Sequence, residues 1–508
     1  MKQRLLKSIS LLLLPLLLLT GCWQEELPEE DDLLLSDDLP VESPSSNVIL
    51  PELLSLPYAP ELTLDPVSCS DGMQQVISSL ICEGLFRLGP DFEPIPWLCE
   101  SYTYDPDTFT YVFTLRNGVR FSDGSLVSGS DIKSTLNRAK NSERYGSRLS
   151  QVTSISADSH TVTITLAAAN SGFPALLDVP ILKAGTEESP IGTGPYLFSV
   201  EDSSAWLIAN QSWWCGINQP VSRIALVEAS DQDTMLYRFT SHDVQLITAD
   251  LAGTDPISAT GSVVYQDTDT TILQFIGCNV NCEPLNNPIF RRILSQGIDR
   301  SNLVSAFLSG HGIASQFPVS PVCPLYPQTL EKEYSHSDFT AALAELDVSL
   351  DRTLTLLVNQ ENSFKISAAQ EIAADLTSVG VPVTVRSLPW AEYTAALAAG
   401  EFDLYYGEVK LTADWDLSAL LQTGGSLNYG GWSDPTTDQL LTAYASASDR
   451  TAAMERLCSH LQNQAPILPI CFKSTSILLQ AGVFENLTST MTDPFYNLTE
   501  CIIHTEAP

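Results

Sequence analysis

The chain has 508 residues, with 61 acidic and 25 basic side chains, and a formal net charge of −36 at pH 7. Such an acidic surface repels phosphate, so the composition argues against nucleic-acid binding and against direct contact with anionic lipid. The length exceeds what one hydrophobic core supports, so we expect two or three lobes.

The N-terminus has the layout of a secretory signal. Three basic residues precede the apolar run 9–19, which is too short to span a membrane. Leu19-Thr20-Gly21-Cys22 follows and resembles a bacterial lipobox, a signal in which the Cys thiol carries a diacylglycerol. The resemblance implies a lipoprotein signal peptide at 1–21 and lipid attachment at Cys22. An ordinary cleaved signal with a chance cysteine is the alternative.

The next segment, 22–51, is rich in Asp, Glu and Pro and contains no Lys or Arg. A segment with one sign of charge repels itself and stays extended. We therefore expect an acidic, disordered tether that lifts the folded body off the membrane.

Helices and strands are predicted to alternate through the rest of the chain, without a fixed-period repeat. Apolar spacing predicts helices at 74–88, 131–140, 288–297, 300–310, 367–379, 390–399 and 450–465, and strands at 108–115, 161–166, 272–278, 351–359, 381–388, 402–406 and 466–472. The order strand–helix–strand–helix–strand over 351–406 indicates an α/β fold with a mixed sheet covered by helices.

Ten cysteines follow Cys22. An even number on an exported chain permits disulfides. A body of this size does not need them, and Cys82 and Cys471 lie in apolar runs, where cysteine acts as a small hydrophobe. We expect mostly free thiols.

Several motifs occur in a fixed order between about residues 75 and 470. They are EGLFR at 83–87, PWLCESY at 96–102, YVFTLRNGVRFSDG at 111–124, GTGPY at 192–196, PIFRRILSQGIDR at 288–300 and NYGGWSDP at 428–435. Together they resemble the family 5 extracellular solute-binding proteins of ABC importers, the peptide- and nickel-type receptors. For most of these motifs we favour a scaffold role, in turns and bends, over ligand contact.

The resemblance implies an α/β, two-lobed periplasmic-binding-protein-like fold of type II, with an extra subdomain and closure by a hinge. The implied parts are lobe I (52–68, 190–275 and 474–508), the extra subdomain (69–189) and lobe II (276–473). Strands near 270–278 and 470–476 would cross between the lobes and act as the hinge.

The resemblance also implies a ligand site in lobe II. In the family an Asp in a segment like ADYxDP holds the peptide ammonium, which needs a partner because a lone buried charge is costly. Here Asp414 stands at that position and Asp416 is a possible substitute. The alternative is that Asp414 caps a helix beginning at Asp416. The further ligand-binding candidates are Trp390, Trp415, Tyr429 and Trp432, with core packing as the alternative for Trp390.

The implied function is a membrane-anchored substrate-binding protein that captures extracellular oligopeptides and delivers them to an ABC permease and its ATPase. We expect a monomer without cofactor, metal or catalytic residues, because the histidines lack the spacing of a helical zinc motif and no Gly-x-Ser-x-Gly sequence occurs. The alternatives are a same-fold receptor for nickel chelates or oligosaccharides, and a sensor or adhesion lipoprotein without transport. The expected location is the outer face of the bacterial cell membrane.

Overall fold

Strands and helices alternate along the described part of the chain, which covers residues 49–346 and 352–506 of this computed structural model. The strands are β1 (Ser55–Tyr58), β2 (Phe86–Leu88), β3 (Pro94–Pro96), β4 (Cys99–Asp105), β5 (Thr110–Leu115), β6 (Val152–Ala157), β7 (Thr161–Leu166), β8 (Tyr196–Glu201), β9 (Ser204–Ala209), β10 (Arg223–Glu228), β11 (Leu246–Ala249), β12 (Val263–Cys278), β13 (Gly312–Ala314), β14 (Leu354–Asn359), β15 (Val383–Leu388), β16 (Leu404–Lys410), β17 (Ile467–Gln480), β18 (Phe484–Glu485) and β19 (Ile502–Ile503).

The helices lie between these strands. They are α1 (Gly72–Ile81), α2 (Gly129–Lys140), α3 (Gln232–Thr240), α4 (Pro288–Gln296), α5 (Arg300–Asn302), α6 (His336–Glu345), α7 (Ser363–Ser378), α8 (Trp390–Ala399), α9 (Ser418–Leu421), α10 (Pro435–Ser446) and α11 (Arg450–Gln464). Short 3-10 helices occur at Phe173–Leu176 and Gln328–Leu330, and a π-helical turn at Leu303–Phe307.

Three sheets carry most of the strands. One four-stranded sheet has the order β1-β10-β9-β8, and a second has the order β4-β5-β7-β6. The third is mixed, with the order β11-β17-β12-β16-β14-β15 and with β13 paired to β17. In it β14 runs parallel to β15 and β16, and parallel neighbours need crossover connections, which α7 and α8 supply. The predicted strand–helix–strand–helix–strand order is confirmed.

Two long strands, β12 and β17, form an antiparallel pair that spans the predicted boundary between lobe I and lobe II. Their register shifts between Thr268 and Ile272, which is where the sequence places the start of the hinge. Strand β17 contributes Ile477 to one hydrophobic core and Ile470 to another. The described part from residue 49 onwards forms one compact unit. The hinge role and the lobe boundaries stay predictions.

Helix α1 shows how local sequence sets an element. The Asp71 side chain caps it by accepting a hydrogen bond from the Gln74 N–H at 2.9 Å. Its apolar stripe, which includes Ile77, is buried in a core shared with Leu56 and Leu226, although residues 69–189 are the predicted extra subdomain. The helix ends at Ile81 because the backbone of Cys82 is extended. The predicted helix 74–88 was therefore too long, and its last residues form β2.

Other predicted elements differ mainly at their ends. The predicted helix 300–310 is only α5 and the π-helical turn, and Ser309 and Gly310 then adopt positive φ angles. The predicted strands 402–406 and 466–472 continue to Lys410 and Gln480, because both pair with β12 beyond the predicted ends. Helix 390–399 and strand 161–166 have the predicted bounds.

The predicted signal peptide, Cys22 and residues 22–48 of the predicted tether lie outside the described residues, as does residue 351 of the predicted strand 351–359. The ten cysteines from Cys69 to Cys501 are free thiols, and eight of them are buried. Among the helices described here, none has both the length and the apolar character that crossing a bilayer demands.

Candidate functional site

A cleft of about 400 Å³ lies between segments that the sequence assigns to different parts of the fold. Its lining comes mainly from the segments 75–88, 144–148, 213–217, 410–413 and 490–499. These segments belong to all three predicted parts of the fold. A ligand in this cleft would contact both lobes, so it would favour the closed arrangement over the open one.

A second groove, of about 1060 Å³, lies on lobe II alone. It is wider, but its lining runs from Arg292 to Phe339 and from Leu461 to Pro469, within a single lobe. A ligand bound there would not bridge the lobes. We therefore take the interlobe cleft as the candidate site, despite its smaller volume.

Ion pairs occupy two sides of the cleft. Arg87 pairs with Asp493 at 3.2 Å, and its guanidinium lies 4.4 Å from the ring centre of Tyr496. Arg148 pairs with Asp178. Burial raises the pKa of Asp493 although Arg87 opposes the shift, and burial lowers the pKa of Arg148 to about 10. Both guanidinium groups are thus committed to carboxylates of the protein.

Two further cations in the cleft, Lys410 and Arg144, have no acidic side chain within 4.0 Å in the part of the chain that the structure describes. Arg144 donates only to the carbonyls of Pro66 and Cys69, each at 3.4 Å. The pKa of Lys410 is lowered, first by burial and then by the positive charges of Arg144 and Arg148. The cleft therefore holds uncompensated positive charge.

Glu83 is a buried carboxylate at the rim of the cleft. Its Oε1 accepts from the indole N–H groups of Trp97 (2.9 Å) and Trp213 (3.2 Å). Its Oε2 accepts from the indole N–H of Trp214 and the hydroxyl of Thr193, both at 2.7 Å. Burial raises the pKa of Glu83, and the four neutral donors oppose that shift. Both oxygens already accept hydrogen bonds from the protein. Glu83 therefore has a structural role, in which it links the EGLFR and GTGPY motifs.

Asp414 lies where predicted lobe II contacts the predicted extra subdomain, and 3% of its surface is exposed. Its carboxylate accepts from the Asn170 amide at 2.8 Å and from the Thr412 hydroxyl. Burial is the main cause of its raised pKa. Asp414 does not line the cleft, although Ala413 beside it does. Its role as ammonium partner stays a prediction.

The alternative in which Asp414 caps a helix is not what the structure shows. Helix α9 begins at Ser418, and the Ser418 N–H donates to Asp416 Oδ1 at 2.9 Å. Asp416, rather than Asp414, thus binds the backbone at the start of this helix.

The remaining predicted ligand contacts differ in exposure. Trp415 is 1% exposed in a core of lobe II, whereas Trp390 is 59% exposed at the start of α8. Asp416 and Tyr429 are half-buried, and Trp432 is buried. None of the five lines the interlobe cleft, so their contact with ligand stays a prediction.

The cleft cations Arg144 and Lys410 were not predicted from the sequence as ligand contacts. No spacing or motif in the sequence marks these two residues, because their place in the cleft depends on how distant segments come together. Within residues 49–346 and 352–506, no group of three or more His, Cys, Asp or Glu side chains could hold a metal ion.

The chain is similar to known receptors over most of its length. The glutathione-binding protein GsiB of Salmonella typhimurium is 24% identical over 442 residues, which cover 80% of this chain and 86% of that protein. The dipeptide-binding protein DppE of Bacillus subtilis is 24% identical over 456 residues, covering 77% and 81% of the two chains.

The fold is shared with solved structures. The crystal structure of the ABC transporter substrate binding protein CtaP from Listeria monocytogenes superimposes with a TM-score of 0.71 at 16% identity, covering 90% of this chain and all of that one. This likeness establishes the two-lobed α/β fold. The sequence model of the family described as "Bacterial extracellular solute-binding proteins, family 5 Middle" matches residues 93–430. The match spans more than half of the sequence, so the chain belongs to the family 5 bacterial extracellular solute-binding proteins, which are receptors rather than enzymes.

Proposed function

We propose that this protein captures short peptides outside the cell and delivers them to an ABC permease, without catalysing a reaction. The observation that carries the proposal is the cleft of about 400 Å³ with lining from both lobes, a volume within the roughly 300–1,000 Å³ range of ligand sites. The relatives named for glutathione and dipeptide binding support a peptide ligand.

The segment that enters the cleft after β16 offers groups for a peptide main chain. Leu411 is bonded to Thr271, since its N–H donates to the Thr271 carbonyl at 2.9 Å. The next two N–H groups, of Thr412 and Ala413, have no hydrogen-bond partner among the described residues, and both residues line the cleft. A carbonyl of a peptide bound in the cleft would find an N–H donor without a protein partner there.

The proposed function is tested by titrating the mature protein with pools of di- to octapeptides in a calorimeter, and by following compaction with small-angle scattering. We expect heat and compaction with at least one pool. Compaction with a nickel–histidine chelate or an oligosaccharide alone would replace peptides as the ligand class. No response to any of these would favour a sensor or adhesion role.

Anchoring through a lipid on Cys22 is part of the proposal. We expect Cys22→Ser to move the protein from the membrane fraction to the soluble fraction, because only the two acyl chains of a diacylglycerol hold a chain stably at a bilayer. Ser45→Ala in the same acidic segment is the matched control and should stay with the membrane. A membrane-bound Cys22→Ser variant would contradict the proposed anchor.

The ammonium role of Asp414 has a direct test. If Asp414 holds the peptide ammonium, Asp414→Ala weakens binding of a free-amino peptide by about a hundredfold or more relative to its N-acetylated form. If it only joins lobe II to the extra subdomain, the two affinities change together. In either case we expect a loss of stability of about 2 kcal/mol, because the buried Asn170 and Thr412 donors lose their acceptor. Calorimetry and urea unfolding measure the two effects.

A further inference from the structure

The hairpin of β2 and β3 lies in the predicted extra subdomain, but its tip is buried elsewhere. Phe86, at the start of β2, belongs to the core that β5 and β7 also build. Leu88, at the end of β2, lies in a small cluster that includes Ala413 of predicted lobe II. Phe92, in the turn, is 4% exposed and belongs to a core whose other buried residues all fall between Leu273 and Phe472. The hairpin thus passes from one core into another.

The backbone of Phe92 adopts a conformation that a hairpin turn normally reserves for glycine. Its φ angle is +66°, in the left-handed region, where a bulky side chain is strained. The turn is closed by the Phe92 N–H, which donates to the Gly89 carbonyl at 3.0 Å, and by the Gly89 N–H, which donates to the Glu93 carbonyl at 2.9 Å. Such strain persists only where the surrounding contacts compensate for it. The packing of the ring therefore accounts for a phenylalanine at this position.

The ring of Phe92 packs against Trp415. The two ring centres are 5.5 Å apart and the ring planes are 84° apart, which is the edge-to-face arrangement that aromatic pairs favour. Trp415 is itself buried and also has a positive φ angle, +56°. It contacts Phe472 of β17 as well, with ring centres 5.6 Å apart. A row of three aromatic rings thus joins the hairpin to the strand that spans the predicted lobe boundary.

Polar contacts join the same two predicted parts at a second place. The Ser171 N–H donates to the Ala445 carbonyl at 2.7 Å, and the Asn170 amide donates to the Asp414 carboxylate at 2.8 Å. The Asn170 carbonyl in turn accepts a hydrogen bond from the Tyr111 hydroxyl at 2.8 Å, which ties this loop to the core of the extra subdomain. These hydrogen bonds orient the contact, whereas Phe92 supplies buried apolar surface.

Phe92 does not line the interlobe cleft, although its neighbours do. The lining includes Leu88, Leu411 and Ala413, and it includes neither Phe92 nor Trp415. A ligand in the cleft therefore need not touch the Phe92 ring. If predicted lobe II moves away from the extra subdomain, however, the ring leaves its core and meets water. The contact thus opposes opening of the cleft whether or not a ligand is present.

We propose that Phe92 is a latch, a residue whose insertion beside Trp415 holds the cleft partly closed without a ligand. The closed arrangement is then populated in the ligand-free protein, and a ligand completes the closure. The apparent affinity for that ligand rises with the fraction of the protein that is already closed. Phe92 is thus a positioning residue, which acts on binding through closure. The inference goes beyond the proposed function and does not depend on the ligand being a peptide.

The first test needs no ligand. Small-angle scattering compares the ligand-free mature protein with the variants Phe92→Ala and Phe92→Gly, and we expect both variants to have a larger radius of gyration than wild type. Both variants remove the ring, but glycine suits the left-handed turn and alanine does not. Phe92→Gly should therefore melt at a higher temperature than Phe92→Ala, while the two open to the same extent. This pair separates opening of the cleft from strain in the turn.

Two further variants complete the comparison. Tyr237→Ala removes a ring of α3 that is 64% exposed; it is the matched control and should leave the scattering curve unchanged. Phe92→Leu keeps a large apolar side chain and should fall between wild type and Phe92→Ala.

The second test measures affinity. Burial of a phenylalanine side chain corresponds to roughly a tenfold to hundredfold change in an equilibrium constant. We therefore expect Phe92→Ala to bind the pool of di- to octapeptides that gives the largest heat with wild type about tenfold more weakly. It should also show a larger compaction on binding than wild type, because it starts from a more open state.

Two results would overturn the inference. If Phe92→Ala melts earlier but scatters like wild type, Phe92 only stabilises the fold. If the variants open but bind the peptide pool as tightly as wild type does, the contact does not contribute to closure around a ligand. If no pool binds to wild type, the proposed function fails, whereas scattering from the ligand-free proteins still decides whether the latch exists.

Discussion

Replacing Glu408 by Gln is expected to destabilise the protein by about 3–5 kcal/mol. Glu408 lies between two buried cations, Lys365 and Lys473, whose side chains are only 10% and 4% exposed. Lys473 keeps a second partner, Asp250, at 2.6 Å, but Lys365 has no other acidic partner in the described part of the chain. The variant leaves the buried Lys365 ammonium without a counter-charge. Removing one partner of a buried ion pair is strongly destabilising, because the other charge stays buried and unpaired.

The pH dependence of this effect follows from the pKa of Glu408. Burial opposes its charged form, but the charges of Lys365 and Lys473, together with the hydrogen bonds from Gln274 and Lys365, outweigh burial and lower its pKa below the usual 4.5. A carboxyl group whose pKa is lower in the folded protein stabilises the fold at pH values above its pKa in the unfolded chain. That contribution is lost as the pH falls through the folded-state pKa. We expect the stability difference between wild type and Glu408→Gln to be full at pH 7 and to shrink below about pH 4.5.

Urea unfolding at a series of pH values measures both effects. Glu392→Gln, at an exposed position on α8, is the matched control and should change stability by less than about 0.5 kcal/mol. The double variant Glu408→Gln with Lys365→Met should recover part of the loss, because it removes the orphaned charge. A Glu408→Gln variant as stable as wild type at pH 7 would contradict the role given to this network.

Glu83→Ala is expected to cost at least about 3 kcal/mol, because three indole N–H groups and the buried Thr193 hydroxyl lose their acceptor together. The tryptophans come from two separate segments, so their release also frees the loop at 213–214 from the extra subdomain. We expect a lower urea midpoint and a change in the near-ultraviolet circular dichroism of the tryptophans.

Glu100→Ala, at an exposed position on β4, serves as the control for Glu83→Ala. Glu83→Gln should fall between the control and Glu83→Ala, because the amide keeps one acceptor but places an N–H group among donors. Equal stability of Glu83→Ala and Glu100→Ala would show that the tryptophans find other acceptors.

Local patterns predicted the fold well where neighbours in sequence decide the structure. Helix 390–399 begins after Pro389 and ends at Gly400, whose φ of +70° suits a glycine C-cap. The strand 161–166 is predicted by the alternation of apolar and polar residues along it. The ends of β16 and β17 could not be predicted in this way, because pairing with β12 sets their length, and pairing is a property of the assembled sheet.

The site was harder to predict than the fold for a related reason. A motif resemblance selected Asp414, but the group that its carboxylate contacts is Asn170, which is 244 residues away in sequence. Lys410 and Arg144 are likewise distant in sequence, and no spacing rule connects them. Charge compensation depends on which side chains the fold brings together, so the free cations of the cleft become visible only in three dimensions.

Ile477 and Ile470 lie on the same strand, β17, yet they belong to two different hydrophobic cores. Because both cores need this one strand, we expect them to unfold together in a single cooperative transition rather than one after the other.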